Sequence, residues 1–135
     1  MTDTQTLIDQ LLPLAKSASQ RAYSPFSGVR VGAVVVGNEG ELYSGCNVEN
    51  ASYGLTQCAE RNALAAAIVN GESPGKMNTL LVYATGFETL TPCGACRQVM
   101  SELLDDDAIV ISCSETDPPK AWSVADLLPD PFTLD

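Results

Sequence analysis

Histidine is absent from all 135 residues. That removes the side chain most often used as a general base near neutral pH, and the commonest metal ligand. Any catalyst built from this chain works with carboxylates, thiols, hydroxyls or a thiolate-bound metal. Basic residues are scarce as well. Seven Lys and Arg against seventeen Asp and Glu leave a net charge of −10. Polynucleotides and anionic lipid surfaces are bound mainly through Lys/Arg clusters, so neither is an expected partner. No apolar run approaches the roughly 18 residues of a membrane span, and mean hydropathy is only +0.06. The opening MTDTQTLIDQ lacks the basic-then-apolar pattern of a secretory signal, so a cytoplasmic chain is expected. There is no internal repeat and no phosphate-binding glycine loop. The length suits one domain with a real core, expected to span residues 1–135 with loose ends at about 1–3 and 133–135.

Hydrophobic periodicity places the elements. Leu7, Ile8, Leu11, Leu12, Ala15, Ala18 and Ala22 recur at helical spacing, predicting a helix over 4–22 that Pro13 should kink or whose start it should shift. The run SPFSG reads as a loop. Residues 29–37 and 41–49 form two strand-like runs around the turn residues Asn38-Glu39-Gly40, which is a hairpin pattern. The alanine-rich run 59–69 predicts a helix with Thr56 as N-cap and Asn70-Gly71 as stop. A buried strand over 79–85, a cysteine-led helix over 94–104 and a buried strand over 108–113 follow. Such alternation predicts an α/β sandwich with parallel pairing in its second half. The proline-containing tail reads as irregular around a short helical turn at SVADLL. Asp105-Asp106-Asp107 reads as a solvated cluster with no metal role, and the preceding helix should end before it, because acid at a helix C-terminus is unfavourable.

The five cysteines are Cys46, Cys58, Cys93, Cys96 and Cys113. An odd number argues against a disulfide framework and for a reducing setting. Cys93-Gly94-Ala95-Cys96 follows Pro92 at a helix start. Alone it fits a redox pair, half of a zinc ribbon, or two unrelated thiols. Cys58 lies near another helix start, where free N–H groups and the helix dipole favour thiolates. Three thiolates can therefore meet where two helix starts converge, while Cys46 and Cys113 sit in apolar strands and read as core packing. Three ligands with an open fourth position is the layout of catalytic zinc. Glu60, two residues after Cys58, is by itself an ordinary first-turn glutamate; beside a ligand it becomes a candidate proton carrier.

Nucleobase deaminases carry H-x-E…P-C-x-x-C, and this chain has Cys58-Ala59-Glu60 with Pro92-Cys93-Gly94-Ala95-Cys96. The strings CAERNAL, PCGACRQVMSEL, GCNVENASYGLT and YSPFSGVRVGA resemble the small homotetrameric cytidine deaminases, from about Leu7 to Phe132. That resemblance implies a three-layer α-β-α sandwich around a mixed five-stranded sheet. It implies one Zn²⁺ per subunit held by Cys58, Cys93 and Cys96, with attack on cytosine C4 by hydroxide and proton transfer by Glu60. Arg61 would hydrogen-bond the ligand thiolates, offsetting the −1 charge of three thiolates on Zn²⁺. Asn47 and Glu49 would hold the ribose hydroxyls, Phe26 would stack on the pyrimidine, and the Ala59 N–H would meet the cytosine carbonyl. Tyr53, after the NVEN run, and Phe132 would reach a neighbouring subunit's site, making the active sites shared. Each has a plainer reading. Arg61 fits an ordinary surface arginine, Arg97 a helix-surface or interface residue, Asn47 and Glu49 fit loop capping, Phe26 and Phe132 fit core plugs, and Ala59 fits a helix former.

The implied activity is hydrolytic deamination of cytidine and deoxycytidine in pyrimidine salvage. A neutral amide and a carboxylate for the sugar, without a basic cluster, suit a nucleoside rather than a nucleotide. Three alternatives stay open at this point: a deaminase of cytosine-containing antibiotics of the blasticidin S type, a non-catalytic zinc module, and a C-x-x-C oxidoreductase. Deaminases of tRNA, DNA or deoxynucleotides usually have His as first ligand and a basic surface, and neither is present.

Overall fold

The computed structural model describes residues 3–86 and 88–134. Of the terminal positions expected to be loose, Met1, Thr2 and Asp135 lie outside that range, whereas Asp3 accepts from the Thr6 N–H as N-cap of the first helix. That helix, α1 (Thr4–Ser19), runs through Pro13 without ending there. It stops three residues short of the expected end. The Ser19 hydroxyl donates to the Lys16 carbonyl and the Arg30 guanidinium to that of Gln20. Gln20, Arg21 and Ala22 turn back through three-residue hydrogen bonds instead of continuing the ladder.

Five strands make one sheet: β1 (Val31–Val36), β2 (Leu42–Cys46), β3 (Met77–Ala84), β4 (Leu104–Cys113) and β5 (Lys120–Ser123). Their order is β2-β1-β3-β4-β5. The β1–β2 hairpin is antiparallel as its turn residues require, β1–β3 and β4–β5 are antiparallel, and β3–β4 is parallel. The parallel pair needs a crossover, which α3 (Gly94–Leu103) supplies. Strand β5 was not expected: KAWS is short and lacks an alternating apolar pattern, and the tail is less irregular than its prolines imply.

Helices cover both faces. Ile8, Leu11 and Ala15 of α1 pack on Val34, Leu81 and Ile111 on one side. On the other, Ala63, Leu64 and Ala67 of α2 (Ala59–Val69), Met100 of α3 and Val124 of α4 (Val124–Leu127) pack on Val35, Leu80, Val82 and Val110. The result is the expected three-layer sandwich. Glycines permit the close approaches. A Cβ on Gly32 would stand 1.9 Å from the Ala15 carbonyl oxygen, and one on Gly45 would stand 2.4 Å from the Ala63 nitrogen.

Two local expectations are corrected. The N-cap of α2 is Cys58, not Thr56; Thr56 closes the preceding 3₁₀ turn (Tyr53–Leu55). The acidic run is exposed and α3 does end before it, but it belongs to β4. There the register shifts between Met77 and Thr79, whose partners are Leu104 and Ile109, so Asp105–Asp107 bulge from the ladder.

Candidate metal centre and substrate cavity

The starts of α2 and α3 lie side by side. Cys58 caps α2, Cys93 caps α3, and Cys96 lies in the first turn of α3. Their three sulfurs fall within 4.8 Å of one another, with Cys58 Sγ and Cys93 Sγ 3.8 Å apart. Tetrahedral zinc with Zn–S bonds of about 2.3 Å holds its sulfurs roughly 3.8 Å apart. Three soft donors at this spacing therefore fit zinc. Cys93 is exposed while Cys96 is buried, leaving one side of the cluster open.

The surrounding charges favour thiolate. The Cys93 sulfur accepts from the Cys96 N–H, and Arg61 Nη2 donates to Cys58 Sγ at 3.4 Å. Hydrogen bonding from Cys96, then from Arg61 and Cys93, lowers the Cys58 thiol to about 5. The Cys96 thiol is pushed up, chiefly by its hydrogen bond to the adjoining Cys58 sulfur and by burial. The Arg61 guanidinium is held more firmly protonated by Cys58 and Cys96. Its Nε is buried without a hydrogen-bond partner. Such a donor is costly unless the charge it brings is needed by the sulfurs. The other two cysteines stay apart from this cluster: Cys113 packs with α1 on the opposite sheet face, where burial raises its thiol, and Cys46 is not among the three grouped sulfurs.

A cavity of about 220 Å³ opens against these sulfurs. Cys58, Cys93, Ala59, Glu60 and Asn47 border it, with Val31, Val82 and Leu90 forming apolar wall. Glu60 is only 6% exposed, and burial, reinforced by the Cys58 thiolate, raises its pKa. A buried carboxyl with a raised pKa can take up and release a proton, which is the property a general base near neutral pH requires. Asn47 is buried too. Its Oδ1 accepts from the Val31 N–H at 2.8 Å and its Nδ2 donates to the Val29 carbonyl at 2.9 Å, leaving a second amide hydrogen for another acceptor.

Glu49 lies in a neighbouring hollow with Phe26, Ser27 and Tyr53, and Thr56 borders both spaces. Regular strand pairing ends at Cys46, and Val48 instead bridges Gln57 and Tyr23. The Glu49 carboxylate accepts from the Ser27 hydroxyl and from the Phe26 and Ser27 N–H groups, which hold its pKa low. Phe26 and Tyr53 meet edge to face, centroids 6.0 Å apart. Phe26 is 52% exposed and Phe132 69%, so neither is a core plug. Tyr53 is exposed as well.

Arg97 does not fit the plain helix-surface reading. Its Nε donates to the Pro92 carbonyl at 2.8 Å and its Nη1 to the Leu127 carbonyl at 3.0 Å. The second partner is thirty residues away, beyond any local sequence signal. Ser112, on the cavity wall, likewise escaped the motifs; its hydroxyl donates to the Leu90 carbonyl.

Residues 5–113 match the family model described as the cytidine and deoxycytidylate deaminase zinc-binding region. The chain belongs to this deaminase family. A cytidine deaminase of Halalkalibacterium halodurans is 39% identical over 133 residues, covering 98% of this chain and 96% of that protein. One from Sporosarcina psychrophila is 36% identical over 126 residues, covering 93% and 91%. The crystal structure of cytidine deaminase from Burkholderia pseudomallei superposes with a TM-score of 0.88 at 43% identity, covering 98% of this chain and all of that one. This deaminase-family chain thus shares the zinc-binding region and the whole architecture. Among its described residues no helix is long and apolar enough to cross a membrane.

Proposed function

We propose that this chain catalyses zinc-dependent hydrolysis of cytidine and deoxycytidine to uridine and deoxyuridine with release of ammonia. The observation that carries the reading is a buried Glu60 carboxyl bordering the same cavity as Cys58 and Cys93, two of the three convergent thiols. Cys58, Cys93 and Cys96 would hold the zinc, which supplies Lewis acidity and lowers the pKa of water toward neutrality. Glu60 would take one proton from the attacking water and pass it to N3 of the base, then take the second proton of that oxygen and deliver it to the amine, which leaves as ammonia. The apolar wall keeps its pKa raised through that cycle. Arg61 offsets the negative charge on Cys58, so that the thiolates do not quench the metal's acidity.

Substrate positioning falls to the surrounding groups. The free N–H of Ala59, at the first turn of α2, meets the cytosine carbonyl, and Phe26 stacks on the ring. The remaining Asn47 amide hydrogen donates to the ribose hydroxyls and the Glu49 carboxylate accepts from them, and a carboxylate there disfavours a 5′-phosphate. The exposure of Tyr53, Phe26 and Phe132 supports a homotetramer in which aromatic side chains of one subunit complete the site of another. Residues 1–135 then act as one catalytic domain, in the cytoplasm, in pyrimidine salvage.

Ammonia release from cytidine, deoxycytidine, cytosine and blasticidin S, measured on one sample, tests the proposal. Both nucleosides should turn over. Activity on blasticidin S alone would overturn it, and so would a Glu60→Ala chain that binds stoichiometric zinc and still deaminates at the wild-type rate.

A further inference from the structure

Cys93 is the exposed member of the thiol cluster, so packing restrains it least. Its backbone is held from both sides by Arg97. The Arg97 N–H donates to the Cys93 carbonyl at 3.0 Å, and Arg97 Nε donates to the Pro92 carbonyl at 2.8 Å, on the peptide leading into Cys93. The same guanidinium reaches Leu127, the last residue of α4, through Nη1. The adjacent Gln98 donates to the Phe132 carbonyl at 2.9 Å. One turn of α3 therefore grips both the peptide before a thiol ligand and the C-terminal segment.

We infer that Arg97 is a positioning residue that fixes the Cys93 sulfur by clamping the Pro92–Cys93 peptide to the end of α4. The geometry calls for arginine. A guanidinium presents separate donors at Nε and Nη1 in a rigid plane, so it satisfies two carbonyls at fixed relative positions. A lysine offers one ammonium centre on a flexible stem and holds such a pair less firmly. Supports of this kind lie outside the metal ligands yet govern how long a metal stays bound, and their loss typically costs about 10–100-fold in affinity or activity. Because Arg97 also reaches Leu127, its loss loosens both the cluster and the segment after α4, whereas loss of the Gln98 bond to Phe132 loosens that segment alone.

The inference rests on the zinc reading above, and its test separates the two. Zinc-loaded wild type, Arg97→Met, Arg97→Lys and Gln98→Ala are mixed with excess chromogenic chelator and the rate of zinc transfer is followed. Limited proteolysis of residues 128–134 is measured in parallel. Arg97→Met should lose zinc about tenfold faster or more, with easier cleavage of the tail. Arg97→Lys should fall between it and wild type. Gln98→Ala should free the tail and leave zinc loss at the wild-type rate. Should Arg97→Met not fold, Arg97→Lys decides: wild-type zinc loss there overturns the clamp. Equal acceleration by Gln98→Ala would assign the effect to the tail and overturn it too. A wild-type chain that takes up no zinc defeats the underlying reading; a zinc-binding wild type with an unaffected Arg97→Met defeats the clamp alone.

Discussion

At the scale of single residues, the site sets a charge problem and answers it with Arg61. Three thiolates within 4.8 Å repel one another, and a cation between them is left electron-rich unless a donor withdraws charge from sulfur. Arg61 stands one helical turn after Cys58 and donates to its sulfur. Arg61→Gln keeps a shorter polar side chain but removes the cation. It should lower zinc affinity or turnover by about 10–100-fold, read by a competition titration alongside initial rates, while wild-type values would show the charge to be dispensable. Helical spacing made the pairs Cys93–Cys96 and Cys58–Arg61 legible from the sequence, whereas the assignment of all three thiols to one zinc came from the family resemblance. Asn47 and Glu49 were only half legible. Their two-residue spacing fits a strand end, but it does not show that regular pairing stops at Cys46 or that Val48 bridges Gln57 and Tyr23 between them. Arg97 was not legible at all, since its meaning depends on a carbonyl of α4.

At the scale of elements, the site depends on how closely α2 rides on the hairpin. Gly45 lets the Ala59–Ala63 turn, which adjoins Cys58 and contains Glu60, lie directly on β2. Gly45→Ala places a methyl group against backbone atoms that cannot swing away, so the helix must lift. Overpacking of this kind costs about 1–3 kcal/mol. A lowered thermal midpoint with reduced turnover is expected; an unchanged midpoint would mean that α2 has room to yield. Apolar periodicity showed α2 and the hairpin, but not that a glycine sets their distance. The missed strand β5 and the misplaced N-cap have separate origins: KAWS is too short to show a period, and Cys58 lacks the side-chain oxygen that marks an N-cap in a sequence.

At the scale of the whole molecule, the acidic balance leaves few cations, and folding relies on carboxylates that accept hydrogen bonds. Glu72, just beyond α2, accepts from the Asn38 N–H at 2.9 Å and the Tyr43 hydroxyl at 2.7 Å, tying the hairpin turn to the helix end. These bonds hold the Glu72 carboxyl below its usual value of 4.5 and raise the Tyr43 phenol above 10. A lowered carboxyl pKa stabilises the fold above 4.5 and loses that effect as pH falls through the folded-state value. A raised phenol pKa stabilises it below 10 and loses that effect as pH rises through the folded-state value. Glu72→Gln should therefore flatten the acid limb of the thermal midpoint against pH; an acid limb identical to wild type would show that the tie contributes nothing. The absence of histidine also takes on a definite meaning. The candidate site uses thiols for the metal and a buried carboxyl for the proton. The most direct test of that claim is ammonia release from cytidine by the chain as purified, after a chelator has removed its zinc, and after zinc is returned. Activity should vanish with the metal and return in full at one zinc per chain. Full turnover by the metal-free chain, or none by the zinc-restored one, would contradict it.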